Sequence, residues 1–531
     1  MLLLAGLILA GGRAWALTVN YAACALQADN TLRFDCTITT SSPSDVYIQF
    51  GKDTTLACES GQVTPTSLNK YTHTITMYGM KASSVYDWRA HAVPAGGGTP
   101  VLGACGHTST GALPAGIGTT ALASLDINHS GTADQVHNFL TEYGCSETPN
   151  DSDARDAFII VDEDDNIVWY QEPLAGMAWG GSTPPILEAI GLARPSKHIT
   201  GIVNHEIIVE YDLTGKLLHL ICRDDGSTYC PNTDATPDLF FDGGVYVHHD
   251  VQIVNNHLFV LNAKERVVPD TDDCDGDSNT TEDQYIILDG VYVFDLAGPT
   301  LEVDWDWTDT SGVTVDYSTA NGLEETPHCE SRYWLAPDGR QLNGTDYLHT
   351  NSLWVDAAQQ WMLSAHDLDY IYTVDRDPMS YTYNQVVDEM DGKGLGGDWT
   401  FDATLYPGEF YGQHAPHWGP LSDLVLFDNH TGGDTRGVVY DLDTTGMTLE
   451  AIEQYTMEDL SASPISCGFG GSAWLTLGGN AFLACPDIGG KALLNEFDGS
   501  DSVNWAVEME CDTSTFYDPV GFAFRAYANV L

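Results

Sequence analysis

Three segments of the chain combine histidine with acidic, amide and aromatic residues. They read VYVHHDVQIV at 245–254, DYLHTNSLWV at 346–355 and YGQHAPHWGP at 411–420. A neutral imidazole is a good nucleophile near neutral pH, and it also donates or accepts protons. In each segment the histidine begins an alternating strand pattern or lies just before one. The sequence therefore predicts nucleophilic or acid–base chemistry, provided that the fold brings these strand starts together.

A repeated pattern indicates such a fold. From about residue 155, an apolar or aromatic residue followed by Asp ends one strand pattern, and a turn and a second strand follow. The copies lie 50, 83, 80, 66 and 57 residues apart, which are blade lengths with insertions. The six copies are Val161-Asp162, Tyr211-Asp212, Phe294-Asp295, Val374-Asp375, Tyr440-Asp441 and Phe497-Asp498.

Six copies predict an all-β chain with a six-bladed β-propeller over residues 155–531. The inner strand of each blade starts near the central axis, so histidines that are distant in sequence would meet there. The alternative is an array of ordinary β-sandwiches with chance Asp turns. Only short stretches, such as 133–143, have a helical pattern.

The N-terminal part reads differently. Residues 1–16 are apolar and end in Ala14-Trp15-Ala16, which predicts a secretory signal peptide. Residues 17–112 form many short alternating strands, typical of a small fibronectin-III or immunoglobulin-like β-sandwich. Residues 113–154, rich in Gly, Pro and Thr at their start, are interpreted as a linker and the entry to the propeller.

The charge balance excludes several partners. The chain has 76 acidic and 20 basic residues, a formal net charge of −56. Such a surface repels nucleic acid and anionic membranes. After the N-terminal segment the sequence has no further apolar run long enough to predict a membrane span. Twelve cysteines without a Cys-x-x-Cys pair favour disulfides over zinc in an exported chain. Candidate pairs are Cys467–Cys485 and Cys222–Cys230.

The three histidine segments, in this order, resemble the arylsulfotransferases that need no nucleotide sulfate donor. The matching features are His-His-Asp, then Leu-His-x-Asn-Ser, then Gln-His-Ala with Leu-Phe-Asp-Asn. They cover most of 155–531 and are densest over 345–445. The resemblance implies a six-bladed propeller that moves a sulfuryl group from a phenolic sulfate ester to a phenol through a sulfohistidine. No nucleotide or other cofactor is implied.

The resemblance also assigns roles to the histidines. His414 would be the nucleophile, and His349 would be an acid–base or oxyanion-binding group. One of His248 and His249 would share that supporting role. We favour His249, because it directly precedes Asp250 and the strand.

One position departs from the family pattern. Where the family carries an arginine that grips the sulfate, this chain has His366, which offers one donor instead of a bidentate fork. His366 could substitute as a cation at mildly acid pH. Asn351 and Lys393 are the remaining substrate-binding candidates, and Lys393 could supply a cation. Arg376 and Arg436 are interpreted as turn or outer-strand residues.

A second candidate site is the acidic stretch 270–283. Counted from Thr271, its side chains fall at positions of a Ca²⁺-binding loop, although Thr replaces the usual first Asp. A structural Ca²⁺ is therefore possible, and a solvated acidic insertion is the alternative. The predicted ligands are Asp273, Asp275, Asn279 and Glu282.

Two other functions remain open on the sequence alone. Converging histidines could bind copper or zinc and make the protein a metalloenzyme. Alternatively, a propeller without the family arginine could be non-catalytic and bind carbohydrate or protein. The sequence does not indicate an oligomeric state.

Overall fold

The chain is described by a computed structural model and divides into two compact units, between Leu113 and Pro114. The residues that the structure describes are 16–52, 58, 61–114, 122, 125–143, 145–146, 157–174, 187–193, 195–224, 239–242, 245–269, 283–307, 331–335, 341–346, 348–356, 358–394, 396–402, 408–430, 433–486, 491–499, 501–511, 518–519 and 525–531. Most of the predicted signal peptide and all four predicted Ca²⁺ ligands lie outside these residues.

The N-terminal unit is antiparallel β-structure organised by one long strand. The second strand runs for 19 residues, and alternate side chains such as Phe34, Cys36 and Ile38 enter the core. Its first half pairs with strands one and four, and its second half pairs with strands three and five. The strands are β1 (Val19–Leu26), β2 (Phe34–Lys52), β3 (Gln62–Val63), β4 (Ser67–Met77), β5 (Val85–Pro94) and β6 (Val101–Ser109).

All six strands are connected through β2. A separation into the two sheets of a sandwich therefore stays a prediction. Two disulfides, Cys24–Cys36 and Cys58–Cys105, cross-link this unit.

The second unit contains only strands among its regular elements that the structure describes. They are β7 (Leu125–Gly131), β8 (Asn138–Tyr143), β9 (Cys145–Ser146), β10 (Ala157–Asp162), β11 (Ile167–Gln171), β12 (Leu187–Ala193), β13 (His198–Val203), β14 (Ile207–Tyr211), β15 (Leu217–Asp224), β16 (Leu239–Asp242), β17 (Val245–Val254), β18 (His257–Pro269), β19 (Asp283–Asp295), β20 (Thr300–Asp306), β21 (Ser331–Leu335), β22 (Gln341–Asp346), β23 (Thr350–Val355), β24 (Trp361–Ala365), β25 (Tyr370–Val374), β26 (Val386–Asp391), β27 (Thr400–Asp402), β28 (His414–Trp418), β29 (Leu424–Asp428), β30 (Arg436–Asp443), β31 (Thr448–Thr456), β32 (Ser472–Leu475), β33 (Ala481–Cys485), β34 (Lys491–Phe497), β35 (Val503–Cys511), β36 (Asp518–Pro519) and β37 (Tyr527–Ala528).

These strands form six successive antiparallel sheets, the blades of a propeller. In chain order the blades are built on β8, β10 and β11; on β12–β15; on β17–β20; on β23–β26; on β28–β31; and on β32–β35. Strands β16, β21, β22 and β27 add to their edges, and β9 pairs with β36 as a separate small sheet. The predicted all-β, six-bladed propeller is confirmed.

Five of the six repeated Asp residues mark the same place in their blades, the turn from the third to the fourth strand, whereas Asp441 lies two residues before that turn, inside β30, and Asp443 accepts the turn amide there. Asp carboxylates accept hydrogen bonds from backbone amides two to four residues later, which stabilises the turn. Asp162 accepts from the amides of Asp164 and Asn166, and Asp212 accepts from those of Thr214 and Lys216. The local chemistry of these turns explains why the repeat is visible in the sequence.

The ring closes at both of its chain ends. Strand β7 pairs with β35 and becomes the outer strand of the last blade. Strand β37 pairs with β8 and becomes the inner strand of the first blade. Both β7 and β8 lie within residues 113–154, and β8 replaces the helical pattern there, so that helical expectation is wrong.

Hydrophobic cores lie between adjacent blades. Between the third and fourth blades, Phe259 and Leu261 pack with Trp361 and Leu363 in one buried cluster. Burial of such side chains stabilises the fold by about 1.5–3 kcal/mol each. The described residues contain no helix with the length and apolar character needed to span a lipid bilayer.

Candidate active site

The inner strands of three consecutive blades share an unusual backbone. His249, His349 and Ala415 have positive φ angles of 52°, 46° and 50°, a conformation uncommon for residues other than glycine. At each place the pairing register of the inner strand with its neighbour shifts. Bulges of this kind redirect side chains, and such conformations cluster at functional sites.

This backbone brings five histidine rings into one continuous row. Successive ring centroids are separated by 4.9 Å for His248 and His249, 4.8 Å for His249 and His349, 5.4 Å for His349 and His366, and 5.2 Å for His366 and His414. All five predicted catalytic side chains therefore lie in one site, and His249 lies between His248 and His349. The residues come from the third, fourth and fifth blades.

His414 is held in a single tautomer. Its Nδ1 lies 3.0 Å from the Gly412 carbonyl oxygen and 2.8 Å from Oδ1 of Asn429, so Nδ1 carries the proton. Its Nε2 lies 3.2 Å from the Gly470 amide nitrogen, which donates to it. The nucleophilic lone pair is therefore on Nε2.

Asn429 can present only its oxygen to His414. Its Nδ2 donates to the carbonyl oxygens of Cys467 and Gly470, both at 3.1 Å. The Cys467–Cys485 disulfide, as predicted, anchors the start of this loop. At Gly471 the φ is +112°, and a Cβ would lie 2.2 Å from the Phe427 ring. Position 471 must therefore be glycine for the loop to pack this closely against Phe427.

The electrostatic environment keeps two of the histidines neutral. Burial, with a further contribution from His366, holds the pKa of His414 well below its ordinary value, although Asn429 and Gly412 act in the opposite direction. Burial and the neighbouring His349 and His248 do the same to the pKa of His249. Both rings are therefore unprotonated bases near neutral pH.

A buried amide and hydroxyl network fixes the strand that carries His414. Nδ2 of Asn351 donates to the Gln413 carbonyl at 2.8 Å, and Oγ of Ser364 donates to the same oxygen at 3.2 Å. The Ala415 amide donates to Oγ of Ser352 at 2.7 Å. Asn351, predicted to bind substrate, is thus buried with its amide engaged at the backbone of the nucleophile strand.

Carboxylates from one blade also hold the entry to the inner strand of the next. Asp289 accepts from the Thr350 amide and Asp369 from the Gly412 amide, both at 2.6 Å. These charge-assisted bonds are stronger than neutral ones. They fix the positions of Thr350, next to His349, and of Gly412, close to His414, relative to the preceding blade.

The basic side chains near the site are already engaged with carboxylates or aromatic rings. Nζ of Lys393 lies 3.1 Å from Oδ2 of Asp369, and His366 contacts Asp367 at 2.8 Å. Arg436 is buried against Asp428 at the start of β30, the central strand of its sheet, so its interpretation as a turn or outer-strand residue is wrong. Arg376 stacks over the Trp361 ring at 4.0 Å.

Sequence reasoning missed two contributors. Asn429 stands in the Leu-Phe-Asp-Asn segment, which was a signal for it. Arg525, near the C-terminus, pairs with both carboxylate oxygens of buried Asp250, the neighbour of His249. No local pattern around Arg525 indicates that contact, because the two residues are 275 positions apart.

The metalloenzyme alternative stays a prediction. Within the described ranges, no group of three or more His, Cys, Asp or Glu side chains is arranged to hold a metal ion. The predicted Ca²⁺ loop lies outside the described residues.

Comparison with solved structures finds propellers and proteins without assigned function. The chain is similar to a protein of unknown function from Bacteroides caccae (8% identity, 72% of this chain and 98% of that chain, TM-score 0.38). It is also similar to TolB from Acinetobacter baumannii (10%, 84% and 81%, 0.33) and to the β-propeller domain of Cps50 from Myceliophteria thermophila (9%, 71% and 88%, 0.33).

A search of curated proteins finds no match to this chain. The sequence profile of the arylsulfotransferase family, in contrast, matches residues 125–467, which include the whole histidine row. On that match the chain belongs to the arylsulfotransferase family.

Proposed function

We propose that this protein is an exported aryl-sulfate sulfotransferase that moves a sulfuryl group from a phenolic sulfate ester to a phenol, with His414 as the covalent nucleophile. Family membership supports an arylsulfotransferase-like activity. The observation that carries the finer proposal is the single tautomer of buried, neutral His414, which leaves the Nε2 lone pair as its nucleophile.

In the first half-reaction, the Gly470 amide releases the lone pair on Nε2 of His414, and that lone pair attacks the sulfur of the donor. The N–S bond forms, the S–O bond to the aryl group breaks, and the phenolate leaves with that electron pair. A second imidazole in its protonated form can give a proton to the phenolate oxygen and become neutral, and His349 is our candidate because it lies in the same row. The Gly470 amide that contacts Nε2 would then face the transferred group.

In the second half-reaction, an acceptor phenol gives up its proton and its oxygen attacks the sulfur. The N–S bond breaks and its electron pair returns to Nε2 of His414. Splitting the transfer in this way predicts ping-pong kinetics. Charge on the sulfuryl oxygens needs donors, as in phosphoryl transfer, and His366 and Lys393 are the candidates.

Export is supported by the disulfides. Three are formed between described cysteines, and such bonds persist in oxidising compartments. The apolar N-terminal segment 1–16 is the proposed signal peptide.

The test is transfer from 4-nitrophenyl sulfate to phenol, followed as release of 4-nitrophenol and formation of phenyl sulfate. The wild type should turn over, and His414→Ala should lose activity while its thermal unfolding stays cooperative. A matched control is His129→Ala, which removes an exposed histidine bonded to Asp165 in a turn. Full activity of His414→Ala, or an inactive wild type, would refute the proposal.

A further inference from the structure

At one end of the histidine row lies a buried pair that the two half-reactions above do not use. His248 and Asp289 are 1% and 2% exposed, and Nε2 of His248 lies 3.3 Å from Oδ1 of Asp289. Nδ1 of His248 lies 2.7 Å from Nδ1 of His249. A carboxylate, an inner imidazole and a site-facing imidazole thus form one chain.

The contacts among Asp289, His248 and His249 determine which ring nitrogens carry protons. Two ring nitrogens at hydrogen-bond distance share one proton, so one donates and the other accepts. The contact between Nε2 of His248 and Asp289 is an ion-pair contact without hydrogen-bond geometry. The negative charge of the carboxylate at 3.3 Å still favours the proton of His248 on Nε2, which leaves Nδ1 of His248 as the acceptor. Nδ1 of His249 must then donate, and the basic lone pair of His249 is on Nε2.

The arrangement has the logic of an oriented general base. A carboxylate fixes the tautomer of an imidazole and stabilises the cation that forms when the base takes a proton. Here one further imidazole lies between the carboxylate and the base. The groups that lower the pKa of His249 most, after burial, are the imidazoles of His349, His248, His205 and His414. Asp289 adds a negative charge on the far side of His248.

We propose that Asp289 and His248 are positioning residues that make His249 the general base for the acceptor phenol. This inference rests on the proposed sulfotransferase function. The phenol proton passes to Nε2 of His249 as the new O–S bond forms and the N–S bond to His414 breaks. The imidazolium of His249 then releases that proton to solvent or to the phenolate of the next donor.

Two acceptors that differ in ionisation distinguish a general-base role from a structural role. The acceptor half needs a base only when the acceptor is un-ionised, as phenol is at pH 7. Pentafluorophenol is already ionised at that pH and bypasses the base. Loss of a general base should therefore lower the rate with phenol and spare the rate with pentafluorophenol.

The experiment uses the full chain with Asp289→Asn and, separately, His248→Gln. The ratio of kcat/KM for phenol to kcat/KM for pentafluorophenol should fall about 100-fold, at the low end of what general bases contribute. The burst of 4-nitrophenol without acceptor should keep its amplitude. Having two variants protects the test if one of them does not fold.

The control is Glu496→Gln in the last blade. Glu496 is also buried and accepts backbone amides of the neighbouring blade, from Asp134 and Gln135, but it does not belong to the histidine row. Equal losses with both acceptors, or no loss with phenol, would overturn the inference while leaving the proposed function intact. A wild type that forms no aryl sulfate would overturn both.

Discussion

The replacement of the family arginine by His366 leads to a quantitative prediction. His366 lies between His349 and His414, with its ring centroid 5.2 Å from that of His414. In His366→Arg a fixed positive charge stands at that position, whereas His366→Gln provides a neutral donor. The comparison of the two variants isolates the charge.

The size of the effect follows from the separation. At 5.2 Å, two unit charges attract by about 3 kcal/mol at an effective dielectric constant of about 20, and by about 0.8 kcal/mol at that of water. The adjacent Asp367 carboxylate offsets part of this attraction. At tenfold per 1.4 kcal/mol, the arginine variant should exceed the glutamine variant by about 4-fold to about 150-fold.

The assay is kcat/KM for 4-nitrophenyl sulfate at saturating phenol, measured for both variants at pH 7. The gain should be confined to the donor, because the negative charge of the transferred group is what the arginine recognises. Equal values for the two variants, or a lower value for arginine, would show that the transferred group does not lie beside residue 366.

Three further predictions concern the support of His414. Asn429→Ala removes three buried hydrogen bonds, one to His414 and two to backbone carbonyls; loss of the one to His414, worth about 1 kcal/mol, should by itself lower the single-turnover rate about fivefold, measured by stopped-flow release of 4-nitrophenol. The pKa of His414 is lowered in the folded state, so the unfolded chain binds more protons below about pH 6.5, and this residue costs up to about 1.4 kcal/mol of stability per pH unit as pH falls. In urea titrations, the free energy of unfolding of His414→Asn should therefore fall less steeply than that of the wild type as pH is lowered. Parallel pH dependences would count against a neutral buried imidazole. Replacing both cysteines of the Cys467–Cys485 disulfide by serine should slow turnover by loosening the loop that holds Asn429, whereas the same change at Cys24–Cys36 should not; an equal effect of both would argue against the loop's role.

Local chemistry explains how much of the fold was predictable. Five of the six repeated Asp residues are visible as turns because each bonds to a backbone amide within four residues, so a short window contains the whole signal. The closing strands give no such signal. Tyr527 and Ala528 form a two-residue strand, and β8 contains a sequence of mixed pattern whose strand form depends on its partners β10 and β37.

The candidate site shows the same division. The histidines were found because they are chemically distinctive and lie at strand starts, and the propeller brings such starts together. The tautomer of His414 was not predictable, because it depends on an amide orientation fixed by carbonyls 38 and 41 residues away. The roles of Asp289 and Arg525 depend on contacts between distant parts of the chain, which a pattern of nearby residues does not encode.

The central claim is that His414 becomes sulfurylated. The most direct measurement mixes the protein with 4-nitrophenyl sulfate without acceptor, quenches it under alkaline conditions and locates the adduct by peptide mass spectrometry. We predict one equivalent of 4-nitrophenol in a burst and one SO₃ group on the peptide that contains His414, with neither in His414→Asn. Steady transfer to phenol without an adduct at His414, or an adduct on another residue, would contradict this account.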